Sequence, residues 1–294
     1  MDDDPSPTAS APAPLAPGLY LVATPIGNAR DITLRALDVL AAAEVLAAED
    51  TRNTRRLLAI HGVRRPPEGW LLPYHDHNGA AQRPRLMTAL AEGRSVALVS
   101  DAGTPLVADP GWRLAREAIA AGHPVTAVPG ASAALAALSV AGLPTDRFLY
   151  AGFLPPRAAA RRRALAELAP VPATLVFYES PRRLAGSLAD MAATLGAGRP
   201  AAVCRELTKR FEETRRDSLG ALAAATAGGP EPRGEIVVLV GAPLAAPAGE
   251  DALDAALGAA LPGRSLRDAA DAVAAALGLP RRQVYARALA LAGR

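Results

Sequence analysis

From Gly18 onward the chain alternates short apolar runs with Ala- and Leu-rich helical stretches, and that rhythm leaves few architectures open. A brief apolar run followed by a helix-forming stretch is a strand feeding a crossover helix, and its repetition builds a layered α/β domain around a largely parallel sheet. Leu19 to Ala23 reads as the first strand, Thr33 to Ala43 as a helix, Val45 to Ala48 as a strand and Thr51 to Ile60 as a second helix. Ser95 to Val99 is a further strand, followed by a loop, a helix near Pro110 to Ala121, a strand at Val125 to Val128 and a helix from Ala131 to about Val140. The turn-rich stretch Gly142-Leu143-Pro144-Thr145-Asp146 breaks the pattern. It restarts with strands at Phe148 to Gly152, Ala173 to Tyr178, Ala201 to Arg205 and Glu235 to Val240, around helices near Arg161 to Leu168 and Pro181 to Leu195. Two α/β domains are therefore expected, residues 18–143 and 144–241.

Residues 242–294 read as an Ala/Pro linker and a small C-terminal helical hairpin. Ser265 caps one helix with Asp268 three residues on, Gly278 ends it, and Pro280 opens another that runs through Ala290. Two helices rarely fold alone, which favours docking on the body or on a second subunit over an independent DNA reader.

Half of the 294 residues are apolar but only 4% are aromatic, so the cores must be built from Ala, Leu and Val. No run approaches the roughly 18 apolar residues of a membrane span. The acidic, proline-rich start Met1-Asp2-Asp3-Asp4-Pro5 has neither the basic nor the apolar segment of a secretory signal, and residues 1–17 read as a disordered tail. The single cysteine, Cys204, excludes an internal disulfide and a Cys-rich zinc site, and it points to the reducing cytoplasm.

The formal charge of +3 is unevenly spread, because residues 144–216 alone carry a net +6. A local surplus of arginine attracts polyanions and forks onto phosphate, although a solvated basic face would look the same. Within this Arg-dominated chain Lys209 is the only lysine, a compact and titratable ammonium in Glu206-Leu207-Thr208-Lys209-Arg210.

Polar loops follow the expected strands, where a parallel sheet presents its ligands. Thr24-Pro25-Ile26-Gly27-Asn28 lacks the glycine spacing of a dinucleotide fingerprint. Ser100-Asp101-Ala102-Gly103-Thr104-Pro105, running on to Asp109-Pro110-Gly111, places an acid, a glycine and a proline after a buried strand, a loop whose backbone could closely approach a small ligand. Pro129-Gly130-Ala131-Ser132-Ala133 leads into a helix and offers N–H groups to an anion; it lacks the second glycine of a nucleophile elbow. His75 and His77 flank Asp76 without a local third ligand, so hydrogen bonding or proton transfer suits them better than a metal. Glu49-Asp50-Thr51-Arg52 and Tyr178-Glu179-Ser180-Pro181-Arg182-Arg183 end two further strands, so the polar strand ends suggest one cleft.

Together these segments resemble the ribosomal RNA small subunit methyltransferase I family of the tetrapyrrole methylase superfamily. The resemblance rests on Leu21-Val22-Ala23-Thr24-Pro25-Ile26-Gly27-Asn28, Ala48-Glu49-Asp50-Thr51-Arg52, His75-Asp76-His77-Asn78 and Ser100-Asp101-Ala102-Gly103-Thr104-Pro105. In the second half Gly142-Leu143-Pro144, Gly152-Phe153-Leu154-Pro155, Phe177-Tyr178-Glu179-Ser180, Glu206-Leu207-Thr208-Lys209 and Gly234-Glu235 continue it in the same order, so that it covers roughly residues 18–241. The C-terminal helices resemble the family's helical tail more loosely, and the acidic tail is not part of the pattern.

The resemblance implies two α/β domains with a cleft between them, commonly in a homodimer. It also implies S-adenosylmethionine as methyl donor, no metal, and as acceptor the ribose 2′-hydroxyl of a cytidine in the decoding region of bacterial 16S rRNA within the small ribosomal subunit. It further implies that Pro25, Asp101, Gly103, Thr104, Val107, Ser132, Ala133, Tyr178 and Leu207 hold the donor. A ribose hydroxyl needs a base or a cation to become a nucleophile, and His75, His77, Glu49, Glu206 and Lys209 are the candidates. Arg52, Arg182, Arg183 and Lys209 are expected to contact the RNA, and the Arg161-Arg162-Arg163 run to add general attraction. A porphyrinoid methyltransferase would share the donor site, although its relatives carry a Gly-Pro-Gly-Asp loop where this chain has Thr24-Pro25-Ile26-Gly27-Asn28. A non-catalytic RNA-binding module would need no donor pocket and would tolerate Asp101→Ala.

Overall fold

In a computed structural model the described residues are 14–66, 69–75, 77–107, 111–244, 250–277 and 279–293, and the chain forms two compact units, Met1–Ala242 and Pro243–Arg294. Asp76, Asp109, Pro110, Gly278 and the acidic tail through residue 13, all singled out in the sequence, lie outside the described residues.

The first sheet is built from β1 (Gly18–Val22), β2 (Val45–Ala48), β3 (Trp70–Pro73), β4 (Ser95–Val99) and β5 (Val125–Val128), in the order β3-β2-β4-β1-β5. All of its pairings are parallel. Its connections carry α1 (Leu34–Ala42), α2 (Thr51–Ile60), α3 (Gly79–Ala91) and α4 (Trp112–Ala120), which cover both faces. The central strands β2 and β4 are buried along their whole length, as continuous apolar runs require.

Next come α5 (Ala133–Ala141), β6 (Phe148–Phe153), α6 (Ala158–Leu168), β7 (Thr174–Glu179), α7 (Leu184–Leu195), β8 (Pro200–Arg205), β9 (Glu213–Ser218), α8 (Leu219–Thr226) and β10 (Ile236–Val240). Their sheet runs β6-β7-β10-β8-β9, with β6 and β7 parallel and every other pairing antiparallel. The largely parallel arrangement expected from the sequence therefore holds for the first sheet only. The reason is local: the link from β8 to β9, Glu206 to Glu212, is too short for a helical crossover and must be a hairpin. Helix α5 precedes the Gly142 turn, yet it packs its Ala134, Ala137, Leu138 and Ala141 face on Val176, Cys204 and Val237 of the second sheet, with Ile26 alongside.

Two further corrections concern side chains and helices. Arg161, placed with the attracting arginines from sequence, is buried and paired with Asp190 of α7 at 2.6 Å, whereas Arg162 and Arg163 stay exposed. The C-terminal hairpin is a three-helix unit of α9 (Glu250–Ala260), α10 (Leu266–Leu277) and α11 (Arg281–Leu291). Leu253 and Leu257 of α9 fill the core formed with Val273 and Val284, which supplies the packing that two helices would lack.

Candidate active site

The carboxyl ends of β1, β4, β7 and β8 converge on one cleft of the first unit. There Thr24 and Gly103 pair as an isolated antiparallel bridge, with N–H···O distances of 2.9 and 3.0 Å in the two directions, tying the loop after β1 to the loop after β4. The Thr104 hydroxyl donates to the Ala131 carbonyl at 3.1 Å and fixes that second loop to the entry of α5. Asp101 accepts from the Asp50 N–H at 2.9 Å and from the Asn53 side-chain amide at 3.0 Å, while its own N–H donates to Glu49 at 3.3 Å. Asp101 and Glu49 thus brace the start of α2 against the loop after β4.

A cavity of about 460 Å³ opens between the sheets. Asp101, Gly103, Thr104, Val107, Ser132, Ala133, Tyr178 and Leu207, all singled out in the sequence, line it, and so does Glu49. Pro25 instead lines a neighbouring cavity of about 460 Å³ that shares Ile26, Asp101, Ala102 and Glu235 with the first. Gly103 sits at φ 82°, so the backbone there adopts a conformation that favours glycine. Ser132 precedes α5 in extended conformation without using its hydroxyl as a cap, and it lines the cavity together with Ala133, the first residue of the helix. Phe153 and Tyr178 meet edge to face at 5.6 Å on the opposite wall. Burial pushes the Cys204 thiol at the cavity floor up from its ordinary value, so it stays protonated.

Where the cavities meet, the Lys209 ammonium donates to Glu206 at 2.8 Å and to Glu235 at 2.7 Å. Glu206 also accepts the Glu235 N–H at 3.0 Å. Partial burial works against the Lys209 charge, but the hydrogen bonds it donates to its two glutamates outweigh it and raise its pKa. The Lys209 hydrogen bond in turn lowers the pKa of Glu206. Glycines frame this cluster. A Cβ on Gly27 would fall inside the Lys209 side chain, and one on Gly234, itself at φ 97°, inside the Glu206 carboxylate. Among the described residues the non-glycine positions with positive φ are Leu106 (72°), Glu206 (51°) and Thr208 (65°), all in the two loops that border the cavities. Such backbone costs about 1–3 kcal/mol each and persists where surrounding contacts over-determine it. One such contact is the 3.1 Å bond from the Asn28 N–H to the Thr208 hydroxyl.

The remaining candidates divide. His75 and His77 lie beyond β3 with their rings 6.0 Å apart and line neither cavity. Among the described residues no group of three or more His, Cys, Asp or Glu side chains has a metal-holding arrangement. The Arg52 guanidinium is exposed above Asp50, whose carboxyl it holds down to about 2. Arg182 is exposed, whereas Arg183 donates to the Leu154 carbonyl at 2.6 Å and pairs with the buried Glu179. Sequence reasoning did not single out Glu235, Asn53 or Arg56. Glu235 stood in a quoted motif without a role, and Asn53 and Arg56 share one face of α2 at helical spacing.

Residues 18–223 match the family model of tetrapyrrole (corrin/porphyrin) methylases, and residues 247–292 match that of the RsmI C-terminal HTH domain. A relative from Mesorhizobium japonicum named ribosomal RNA small subunit methyltransferase I is 52% identical over 95% of this chain and 93% of its own length. One of the same name from Pseudomonas aeruginosa is 45% identical over 94% and 98%. Among solved structures, uroporphyrin-III-C-methyltransferase from Thermus thermophilus is 27% identical, with a TM-score of 0.53 over 76% of this chain and 93% of that one.

Proposed function

The chain belongs to the ribosomal RNA small subunit methyltransferase I family of tetrapyrrole (corrin/porphyrin) methylases, and from that premise we propose that it transfers a methyl group from S-adenosylmethionine to ribosomal RNA, at the ribose 2′-oxygen of a decoding-region cytidine in the small subunit. The observation that carries the reading is Glu235, which lines both cavities and accepts from Lys209 in the wall of the second, with Glu206 holding the same ammonium from behind.

The donor fits the first cavity. Its 460 Å³ lies within the roughly 300–1,000 Å³ typical of small-molecule sites, its walls mix apolar and hydroxyl groups, and Gly103 permits close backbone approach. Asp101, Gly103, Thr104, Val107, Ser132, Ala133, Tyr178 and Leu207 would hold it, with Pro25 on the neighbouring wall. When bound, the donor supplies a methyl group on a positively charged sulfur with a neutral leaving group, so the protein's task is alignment and exclusion of water.

The neighbouring cavity, with Asn53, Arg56, Lys209 and Glu235 in its walls, would take the acceptor nucleotide. Lys209 is charged at neutral pH and therefore no base; its ammonium stabilises negative charge growing on the ribose oxygen. Glu235, exposed and tied through one oxygen to Lys209, is placed to receive the hydroxyl proton. Glu206 holds Lys209 and the Glu235 backbone in register. Arg52 and Arg182 contact the phosphodiester chain. A cytoplasmic homodimer completes the reading.

The test is transfer of labelled methyl groups to small subunits from a strain lacking this gene, beside naked rRNA and a porphyrinoid acceptor. Label in subunit rRNA is the expected result, and label only in the porphyrinoid would overturn the RNA reading.

A further inference from the structure

A further cavity, of about 350 Å³, opens on the opposite face of the second sheet and shares Pro181 and Ile236 with the donor cavity. Its floor is apolar, with Leu184, Val203, Leu222 and Ile236, and Ala225 of α8 stands exposed at its mouth. Its rim is basic. Arg205 and Arg215 both pair with the Glu213 carboxylate, at 3.3 and 2.6 Å, and their hydrogen bonds, that of Arg215 foremost, hold its pKa low. Glu231 is the other acid in the lining. Arg182 lines the same cavity and makes no side-chain ion pair or hydrogen bond among the described residues. Three arginines against two carboxylates leave the rim net positive around an apolar floor. That combination suits a planar base stacked on aliphatic surface with its phosphate on guanidinium groups.

We propose that this cavity is a second nucleotide subsite, which takes an unstacked RNA nucleotide flanking the one that is methylated. The inference rests on the RNA acceptor proposed above. Continuity supports it: β10 begins at Ile236, between the last residues of β7 and β8, so the two cavities flank the same sheet end. A strand splayed over that end would reach both. Arg182, beside Pro181, lies where the chain would cross.

The test compares the wild type with Ala225→Trp, which plugs the mouth from an exposed helix position, and with Arg182→Ala. Readouts are KM and kcat for small subunits, the salt dependence of binding, and donor affinity. Ala225→Trp should raise KM about tenfold, with donor affinity unchanged and the salt slope kept. Arg182→Ala should weaken binding and lower the slope by about one phosphate contact. p-Benzoylphenylalanine at position 225 should crosslink to 16S rRNA. A wild-type KM for Ala225→Trp, or a crosslink to a ribosomal protein, overturns the subsite while leaving the methyl-transfer reading intact. Absence of transfer by the wild type overturns the acceptor assignment itself.

Discussion

Lys209 is held by one contact from its own loop and by others from outside it. Its ammonium bridges Glu206 and Glu235, and Gly27 leaves room for its aliphatic stem, which a Cβ there would overlap. Lys209→Met should therefore lower kcat by about 10²–10³, the usual cost of deleting one charge-stabilising donor, with donor affinity unchanged. Gly27→Ala should act in the same direction by displacing the stem, lowering kcat by about tenfold or more, equivalent to about 1.4 kcal/mol of barrier; a kcat equal to wild type would refute the steric argument. The charges also fix a pH window. Lys209 has a raised pKa, so its contribution to stability is present below the unfolded lysine value of about 10.4 and is lost as pH rises through the higher folded value. Glu206 has a lowered pKa, so its contribution is present above about 4.3 and is lost as pH falls through the lower folded value. Activity measured from pH 5 to 10 should show no limb from this pair, and a limb that Lys209→Met abolishes near neutrality would contradict the assignment.

Helices α6 and α7 show how far a run of like charges can mislead. In Arg161-Arg162-Arg163 the first residue points inward, where Asp190 takes its Nε and Nη2 hydrogens and the Pro156 carbonyl takes another. Asp190→Ala would leave a buried guanidinium without its partner and should destabilise the fold by about 3–5 kcal/mol in denaturant unfolding, whereas exposed Arg163→Ala should leave the midpoint unchanged. Helical spacing alone does not say which of three adjacent arginines faces the core. The same limit applies to strands. The apolar runs of β1, β2, β4, β7, β8 and β10 were legible because sheet interiors demand them. β9 was not, because Glu213 to Ser218 is polar along its length and pairs on one side only, at the edge of its sheet. The Lys209 loop stood out as a motif, but its hairpin geometry follows from β9 and was hidden with it.

The two compact units give the molecule separable parts. The cavities lie wholly within Met1–Ala242, while Pro243–Arg294 has its own core around Leu257, Val273 and Val284. Removing residues 243–294 should therefore leave donor affinity unchanged and weaken binding to small subunits; loss of donor binding would show that the helical unit supports the cavity. The loops that line the first cavity were readable in the sequence because each places a glycine, proline or acid directly after a strand. What the sequence could not show is that Glu235 and Lys209 meet, since residues 26 positions apart come together only through the pairing of β8 with β10. The most direct measurement is to map the transferred methyl group in 16S rRNA by alkaline cleavage after reaction with the wild type and with Lys209→Met. One protected linkage at a decoding-region cytidine, formed by the wild type and nearly absent with the variant, is the expected result. Methyl groups on a base, or a variant as fast as wild type, would contradict ribose chemistry centred on Lys209.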